Sequence, residues 1–309
     1  MTRFQRSRSL AVLTLLLSLA FSCRGAETFR FPDVEFMRLA PGVQISAEEA
    51  LTSSDWQPLE TSSPNFGYTL DTVWFRLNVP ADRQIDLLEI AYSQLDHVAF
   101  YVVDNGKLTE AIITGDRYPF TQRPILNRHF LFPFSPDTSG NRKILLEIRT
   151  EGTLQVPMTL WNTQAFFEHA SVEEQLHAVY YGILISVIFF NLFVFLALRE
   201  PVYLLYVLST FGYLLIIGNM NGTAFQLIWP GSPEIQNRAM LFTVPLAVIF
   251  TLLFSRSFLR LKQTGPLLNR VVLGFVTLNA AMVVITGILE YSTAMRLIVA
   301  MAIPSTLLL

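Results

Sequence analysis

The chain has 309 residues, of which 52% are hydrophobic and 15% are charged, and its mean hydropathy is +0.43. This composition excludes an intrinsically disordered chain and argues against a simple soluble enzyme, and the length suggests two structural units. Residues 27–176 hold 11 Lys/Arg and 21 Asp/Glu, whereas residues 177–309 hold 7 and 3; this division predicts an acidic soluble unit followed by a lipid-embedded one, and it excludes a basic nucleic-acid-binding surface.

Residues 1–22 have the pattern of a signal peptide. Three arginines precede an uncharged run of 15 residues at 9–23, which is shorter than a membrane span. Ala20-Phe21-Ser22 resembles a cleavage site and gives a mature start at Cys23. Cleavage, lipid attachment at Cys23 and an uncleaved anchor all stay open, and each places residues 27–176 outside the cytoplasm. Because Cys23 is the only cysteine, the chain can form no intrachain disulfide and no cysteine-based zinc site.

Residues 40–165, after an N-terminal linker at 23–39, are predicted to form an all-β sandwich or jelly roll. Apolar residues alternate with polar ones from Val73 to Val79, a period of two that is typical of strands. Asp104-Asn105-Gly106 predicts a tight hairpin turn. Further strand-like runs lie at residues 85–92, 97–103, 108–114, 129–134, 143–149 and 154–161. With no helices between these runs and no glycine-rich phosphate loop, a dinucleotide-binding fold is disfavoured.

Aromatic and arginine side chains are the only indication of a ligand in this region. The aromatic candidates for stacking on a sugar ring are Trp74, Tyr92, Tyr101, Tyr118 and Phe120. Arg76, Arg123 and Arg128 could bind hydroxyls or carboxylates, but core aromatics and structural ion pairs explain the same residues. Asp116, after Gly115, fits a turn better than a catalytic acid, and no second carboxylate is spaced to make a glycosidase pair.

A capping box at Ser171–Glu174 predicts the start of a helix that leads into the membrane, within a juxtamembrane linker helix at 166–177. His169, Glu173 and His177 are spaced to share a helix face, so a metal site is the alternative to a solvated turn. The proposed cap places His169 before the helix, which disfavours the metal site. We therefore predict no metal and no cofactor.

Residues 178–309 are predicted to form an all-α polytopic membrane helix bundle. Apolar segments long enough for spans lie at 178–198, 202–218, 239–255, 271–289 and from 293 onward. With the N-terminus outside, inner loops hold five Lys/Arg and outer loops two, as the positive-inside rule requires. Asn191 and Asn279 are predicted to hydrogen-bond between helices. No ionisable residue lies near a span centre, which argues against a transporter or a proton relay.

Short motifs also follow one another in a fixed order along both halves of the chain. In the first half they are Thr72-Val73-Trp74-Phe75-Arg76, Leu95-Asp96-His97-Val98, Gly115-Asp116, Gln122-Arg123-Pro124 and Arg128-His129-Phe130. In the second half they are Tyr180-Tyr181-Gly182, Phe190-Asn191-Leu192-Phe193, Arg199-Glu200-Pro201 and Trp229-Pro230. In this order and spacing they resemble the bacterial seven-transmembrane receptors with diverse intracellular signalling modules.

The resemblance implies a periplasmic sensor domain similar to carbohydrate-binding modules, a seven-helix bundle and a cytoplasmic output module, such as a diguanylate cyclase, histidine kinase, phosphatase or adenylate cyclase. About five of seven spans are present, so we expect a C-terminally truncated chain. Any catalytic module would then lie beyond residue 309, and the chain itself is not expected to be an enzyme. The matching segments supply the ligand-binding candidates Trp74, Arg76, Asp116, Arg123 and Arg128.

These observations predict a multi-pass sensory receptor of the bacterial inner membrane with a periplasmic N-terminal domain. The expected partners are a small polar ligand, with carbohydrate among the candidates, or a periplasmic protein, together with membrane lipid, a cytoplasmic signalling module and a second copy in a homodimer. The alternatives are a membrane-anchored binding or scaffold protein, a membrane enzyme or transporter, and the N-terminal part of a diguanylate cyclase or histidine kinase.

Overall fold

The computed structural model describes residues 34–59, 61, 63–79, 85–136 and 142–307. The predicted signal peptide at 1–22 and Cys23 lie outside these residues. The strands, in chain order, are β1 Val34–Leu39, β2 Gln57–Pro58, β3 Asn65–Tyr68, β4 Thr72–Asn78, β5 Leu87–Ile90, β6 His97–Asp104, β7 Lys107–Thr114, β8 Phe130–Pro133, β9 Arg142–Arg149, β10 Thr153–Gln155 and β11 Met158–Trp161. The helices are α1 Ala47–Thr52, α2 Thr163–Leu198, α3 Pro201–Met220, α4 Thr223–Leu227, α5 Pro233–Phe258, α6 Leu261–Thr264, α7 Pro266–Ile285 and α8 Tyr291–Leu307.

The strands form an antiparallel β-sandwich, as the alternating pattern predicted. The main sheet has six strands in the order β2-β1-β4-β9-β6-β7, and the smaller sheets have the orders β11-β5-β8 and β10-β3. Alternate residues of β4, including Phe75, face the core shared with β5 and β8. Phe100 of β6 stacks on Phe132 of β8, with ring centroids 4.8 Å apart. The predicted hairpin turn joins β6 to β7, with positive φ at Asn105 and Gly106.

Two strand boundaries differ from the sequence prediction. β1 lies inside the predicted linker at 23–39, because its backbone pairs along β4 and Val34 enters the core. The run at 154–161 is two strands rather than one. β10 pairs with β3, and β11 pairs with β5 after Pro157. Proline lacks the N–H that a continuous ladder needs, so the chain changes sheets there.

Helix α2 connects the sandwich to the membrane without a break. It starts at Thr163, where the Asn162 side chain accepts hydrogen bonds from the next backbone N–H groups. The predicted start at Ser171 is therefore wrong. One face of the first turns of α2 is buried, because Phe166 and Ala170 pack with Trp161 in a cluster on the sandwich. The same helix then supplies the first candidate span.

Of the helices described, α2, α3, α5 and α7 are long and apolar enough to cross a membrane. The predicted fifth segment forms α8, a helix of 17 residues. α5 lies at the centre, packed against α3, α7 and α8. α3 and α5 approach closely at Gly212 of α3, where an added Cβ would lie 2.7 Å from the Cβ of Ala247. Asn279 hydrogen-bonds Ser305 on α8, as predicted, whereas Asn191 donates to Val187 in its own helix.

Candidate functional site

The sandwich and the helices meet at one junction, built from the loop after β7 and from the segment between α3 and α5. The backbone N–H of Phe120 donates to the carbonyl of Pro230 at 2.9 Å. Ser93 Oγ donates to the carbonyl of Met220 at 3.0 Å. The rings of Phe120 and Phe225 lie nearly perpendicular, 5.4 Å apart. The α3–α5 connection is thus a docking element that contains α4.

Gly222, at the start of α4, packs tightly against the sandwich across the junction. Its φ of +76° suits glycine, and an added Cβ would lie 2.7 Å from the Cβ of Ser93 and 3.1 Å from the carbonyl oxygen of Arg128. The sandwich and the segment between α3 and α5 therefore fit together only when this position lacks a side chain.

Arg123 is buried beside this docking element. Its Nη1 donates to the carbonyls of Asn127 at 2.8 Å and Arg128 at 2.7 Å. Its guanidinium lies over the rings of Phe120 and Phe130, 4.6 and 4.2 Å from their centroids. Burial lowers the pKa of Arg123 to about 10, while Asp116 opposes this shift, so the group stays charged at neutral pH. Arg123 thus holds the loop from Phe120 to Phe130 in shape.

Arg128 connects the sandwich to helix α2. Its Nη2 lies 2.8 Å from the Glu173 carboxylate, and its Nη1 lies 3.1 Å from Nε2 of His177. His169, on the same helix, stacks on Trp161 with ring centroids 5.2 Å apart. These three α2 residues, considered as a metal site from their spacing, are each engaged with the sandwich. Within the described part of the chain, no group of three or more His, Cys, Asp or Glu is arranged to hold a metal.

A cavity of about 250 Å³ lies at the junction. Its sandwich side includes Tyr92, Asp96 and Asp116. Its other side comes from the helix ends and includes Gln236 of α5 and Tyr291 of α8. Both structural units therefore contribute side chains to one partly open cavity.

Asp96 and Asp116 form a hydrogen-bonded carboxyl pair in this cavity. Asp96 Oδ2 accepts from the backbone N–H of Glu151 at 2.9 Å and lies 3.2 Å from Nε of Arg117. Burial raises the pKa of Asp116 well above its ordinary value, and the charge of Asp96 raises it further, against the lowering effect of Arg123. Burial also raises the pKa of Asp96, but the Glu151 N–H and Arg117 lower it. The pKa of Asp116 is therefore raised more than that of Asp96, so Asp116 is the member of the pair that takes up a proton first.

The structure brings together three of the five predicted site residues and separates the other two. Asp116, Arg123 and Arg128 lie at the junction. Trp74 is 1% exposed and stacks on Tyr101 beneath α1, on the face of the main sheet opposite the sandwich core. Arg76, on the same face, pairs with Glu35 at 2.6 Å. The alternation along β4 explains this, because a strand sends successive side chains to opposite faces.

Two family models match the chain. The model for the 7TMR-DISM extracellular 2 domain matches residues 33–162, and the model for the 7TM diverse intracellular signalling region matches residues 173–309. The chain belongs to the seven-transmembrane receptors with diverse intracellular signalling. It is a membrane sensory receptor with an outward-facing N-terminal domain. Among curated proteins, no sequence matched the chain.

Within this receptor, several cavity residues were absent from the predicted site. Asp96 lies in a motif that carries the family resemblance, but nothing in the sequence shows that its carboxylate meets Asp116 at the end of β7. Gln236 and Tyr291 belong to outer helix ends, which the hydropathy pattern marks only as boundaries. Tyr92 was considered a stacking residue, and burial raises the pKa of its hydroxyl to about 12, so it remains a donor.

Proposed function

We propose that this receptor binds a small polar ligand in the junction cavity and transmits the binding event through its helices to a cytoplasmic output module. One observation carries the proposal: the cavity wall is shared between the sandwich and the outer ends of α3, α5 and α8. A ligand that contacts both sides binds one relative position of the two units better than another. Such a difference in affinity is what shifts a two-state equilibrium.

A route from the cavity to the membrane supports transmission. Asp116 interacts electrostatically with Arg123, and Arg123 donates to the backbone carbonyl of Arg128. The Arg128 side chain in turn pairs with Glu173 on α2. Because α2 is continuous from the sandwich to Leu198, a shift of its first turns moves the span as a rigid element.

The setting we propose is the inner membrane of a bacterium, with the sandwich in the periplasm. The signal-peptide pattern at residues 1–22 and the basic inner loops favour this orientation. The output would be a signalling module of the full-length protein. The alternative is a membrane-anchored binding protein whose helices do not change position when the ligand binds.

A distance measurement at the inner helix ends separates these two functions. Nitroxide labels on cysteines at Arg199 and Lys262, in a Cys23→Ser background in nanodiscs, report the distance between the inner turns by electron spin resonance. Sugars, carboxylates, amino acids and amines are first screened for thermal stabilisation of the same protein. A stabilising compound should change the distance by about 1–2 Å or more, the scale of helix shifts in signalling proteins. Stabilisation with an unchanged distance contradicts the transducer and favours the anchored binding protein.

A further inference from the structure

The junction cavity is lined by acidic side chains and by no basic ones among the described residues. Among the described residues that line it, the only acidic or basic side chains apart from tyrosines are the carboxyl groups of Asp96 and Asp116, and no Lys, Arg or His lines it. Polar amide and hydroxyl groups make up much of the rest. An anionic ligand would enter a site with no cation to receive it, whereas a cation would meet two carboxyl groups.

Asp116 has unused hydrogen-bonding capacity within this cavity. Its side chain is buried, with a relative exposure of 6%. Oδ1 accepts no hydrogen bond from an N–H or hydroxyl group of the residues that the structure describes. Buried carboxyl oxygens normally accept one or more hydrogen bonds. An N–H donor from a ligand in the cavity would satisfy this oxygen.

The remaining walls suit an organic cation. Tyr68, Tyr92 and Tyr291 supply aromatic rings, whose faces attract ammonium groups. Met240 and Met295 supply flexible apolar surface for a short hydrocarbon body. A bare metal ion would leave these aromatic and thioether surfaces without a function.

We propose that the junction cavity binds a small protonated amine, with its ammonium group on Asp116 and Asp96 and its hydrocarbon part against the methionines. The inference rests on the proposed function, because it names the chemical class of ligand for the same cavity. It assigns Asp116 as the anchor and the tyrosines as the aromatic wall.

Charge balance predicts that the amine displaces a proton. The charged groups around Asp116 are the carboxylates of Asp96 and Glu151 and the guanidiniums of Arg117 and Arg123. The other titratable or charged groups facing the cavity are Tyr68, Tyr92 and Tyr291, with Arg296 5.8 Å from the Tyr68 ring. With Asp116 protonated, the two carboxylates and the two guanidiniums cancel. When an ammonium enters, the O–H bond of Asp116 breaks, the proton passes to the solvent, and the carboxylate accepts the ammonium N–H.

The test uses the full chain in nanodiscs with matched pairs of probes. n-Butylamine and cyclohexylamine carry the ammonium group, and 1-butanol and cyclohexanol are their uncharged counterparts. Asp116→Asn removes the anchor but mimics the protonated carboxyl in shape and hydrogen bonding, so it should fold. Glu48→Gln, which removes an exposed carboxylate on α1, is the control variant. Thermal-shift titrations give apparent affinities at several pH values.

We expect the amines to stabilise wild type and Glu48→Gln, and the alcohols to leave both unchanged. Asp116→Asn should lose at least ~tenfold in affinity for the amines, equivalent to about 1.4 kcal/mol. Wild-type affinity should rise from about pH 6 to about pH 8, by up to about tenfold per unit, because each binding event releases one proton. Asp116→Asn should not show this rise.

Three results would overturn the inference. Equal binding of amine and alcohol removes the role of the ammonium group. Equal amine binding by wild type and Asp116→Asn would show that Asp116 does not bind the ammonium group. Stabilisation by glucose but by neither amine shows a neutral ligand, and in that case the proposed function stands while the amine is rejected. The proposed signalling function would be rejected by a different result, in which a bound ligand leaves the Arg199–Lys262 distance unchanged.

Discussion

Replacement of Arg123 by alanine tests whether this residue shapes the junction or touches the ligand directly. The variant loses two short hydrogen bonds from Nη1 to the carbonyls of Asn127 and Arg128 and the contacts with two phenylalanine rings. A hydrogen bond from a charged donor contributes about 1.5–3 kcal/mol, and a cation–π contact about 0.5–2 kcal/mol. Because the contributions of one side chain are not additive, we expect the free energy of unfolding to fall by about 3 kcal/mol.

The assay is thermal unfolding of the full chain in nanodiscs, followed by tryptophan fluorescence. A loss of ~3 kcal/mol corresponds to a fall in Tm of about 6–12 °C for a unit of roughly 150–250 residues. Arg38→Ala is the matched control, because its side chain is 49% exposed and its pairing with Asp71 is a surface ion pair, so it should change stability by less than ~1 kcal/mol. Arg123→Lys should fall between wild type and alanine, since lysine keeps the charge but cannot stack as a planar group.

An unchanged Tm in Arg123→Ala together with lost ligand binding would refute this reasoning. It would make Arg123 a ligand contact, one of the two roles that the sequence left open for it.

The remaining predictions concern the bundle, the orientation and the acid response. Gly212→Ala should lower the thermal stability of the bundle, because the new Cβ would lie 2.7 Å from Ala247, whereas Gly182→Ala, with no atom within 4 Å, should not. A reporter enzyme fused after Lys262 should behave as cytoplasmic and one fused after Gly231 as periplasmic, and the reverse pattern would contradict the orientation. Burial, together with Arg149, lowers the pKa of His97 to about 4. The unfolded chain therefore binds the proton first, and wild type should lose stability as pH falls from about 6.5 to about 4, more than His97→Gln does; parallel pH profiles would contradict this.

The sandwich could be predicted from the sequence because its main signal is local. Val73 to Val79 alternates with a period of two, and Asp104-Asn105-Gly106 has the residues that a tight turn requires. The start of α2 could not be predicted as well, because a capping-box sequence such as Ser171-x-x-Glu174 can also occur in the middle of a helix. The same pattern at Ser46 and Glu49 does cap α1, where both reciprocal hydrogen bonds form. The Asn162 cap and the buried contacts of Phe166 and Ala170 show that α2 begins before Ser171.

The candidate site could be predicted only in part, because its contacts join distant parts of the chain. Asp116, Arg123 and Arg128 are close in sequence, and all three lie at the junction. Ser93 and Met220 are 127 positions apart, and no periodicity indicates that they meet. Sequence patterns report which face of an element is buried, but they do not report which element covers it.

Hydrogen exchange across the junction tests the central claim, that the sandwich and the helix bundle act as one coupled unit. Gly222→Ala places a Cβ 2.7 Å from Ser93, whereas Gly231→Ala places one where no atom lies within 4 Å. In nanodiscs, Gly222→Ala should speed exchange in the loop at residues 115–130, in the last turn of α3 and in the first turns of α2 and α5, while Gly231→Ala should match wild type. Faster exchange confined to residues 221–231, with the sandwich and the helix ends unchanged, would contradict the coupling.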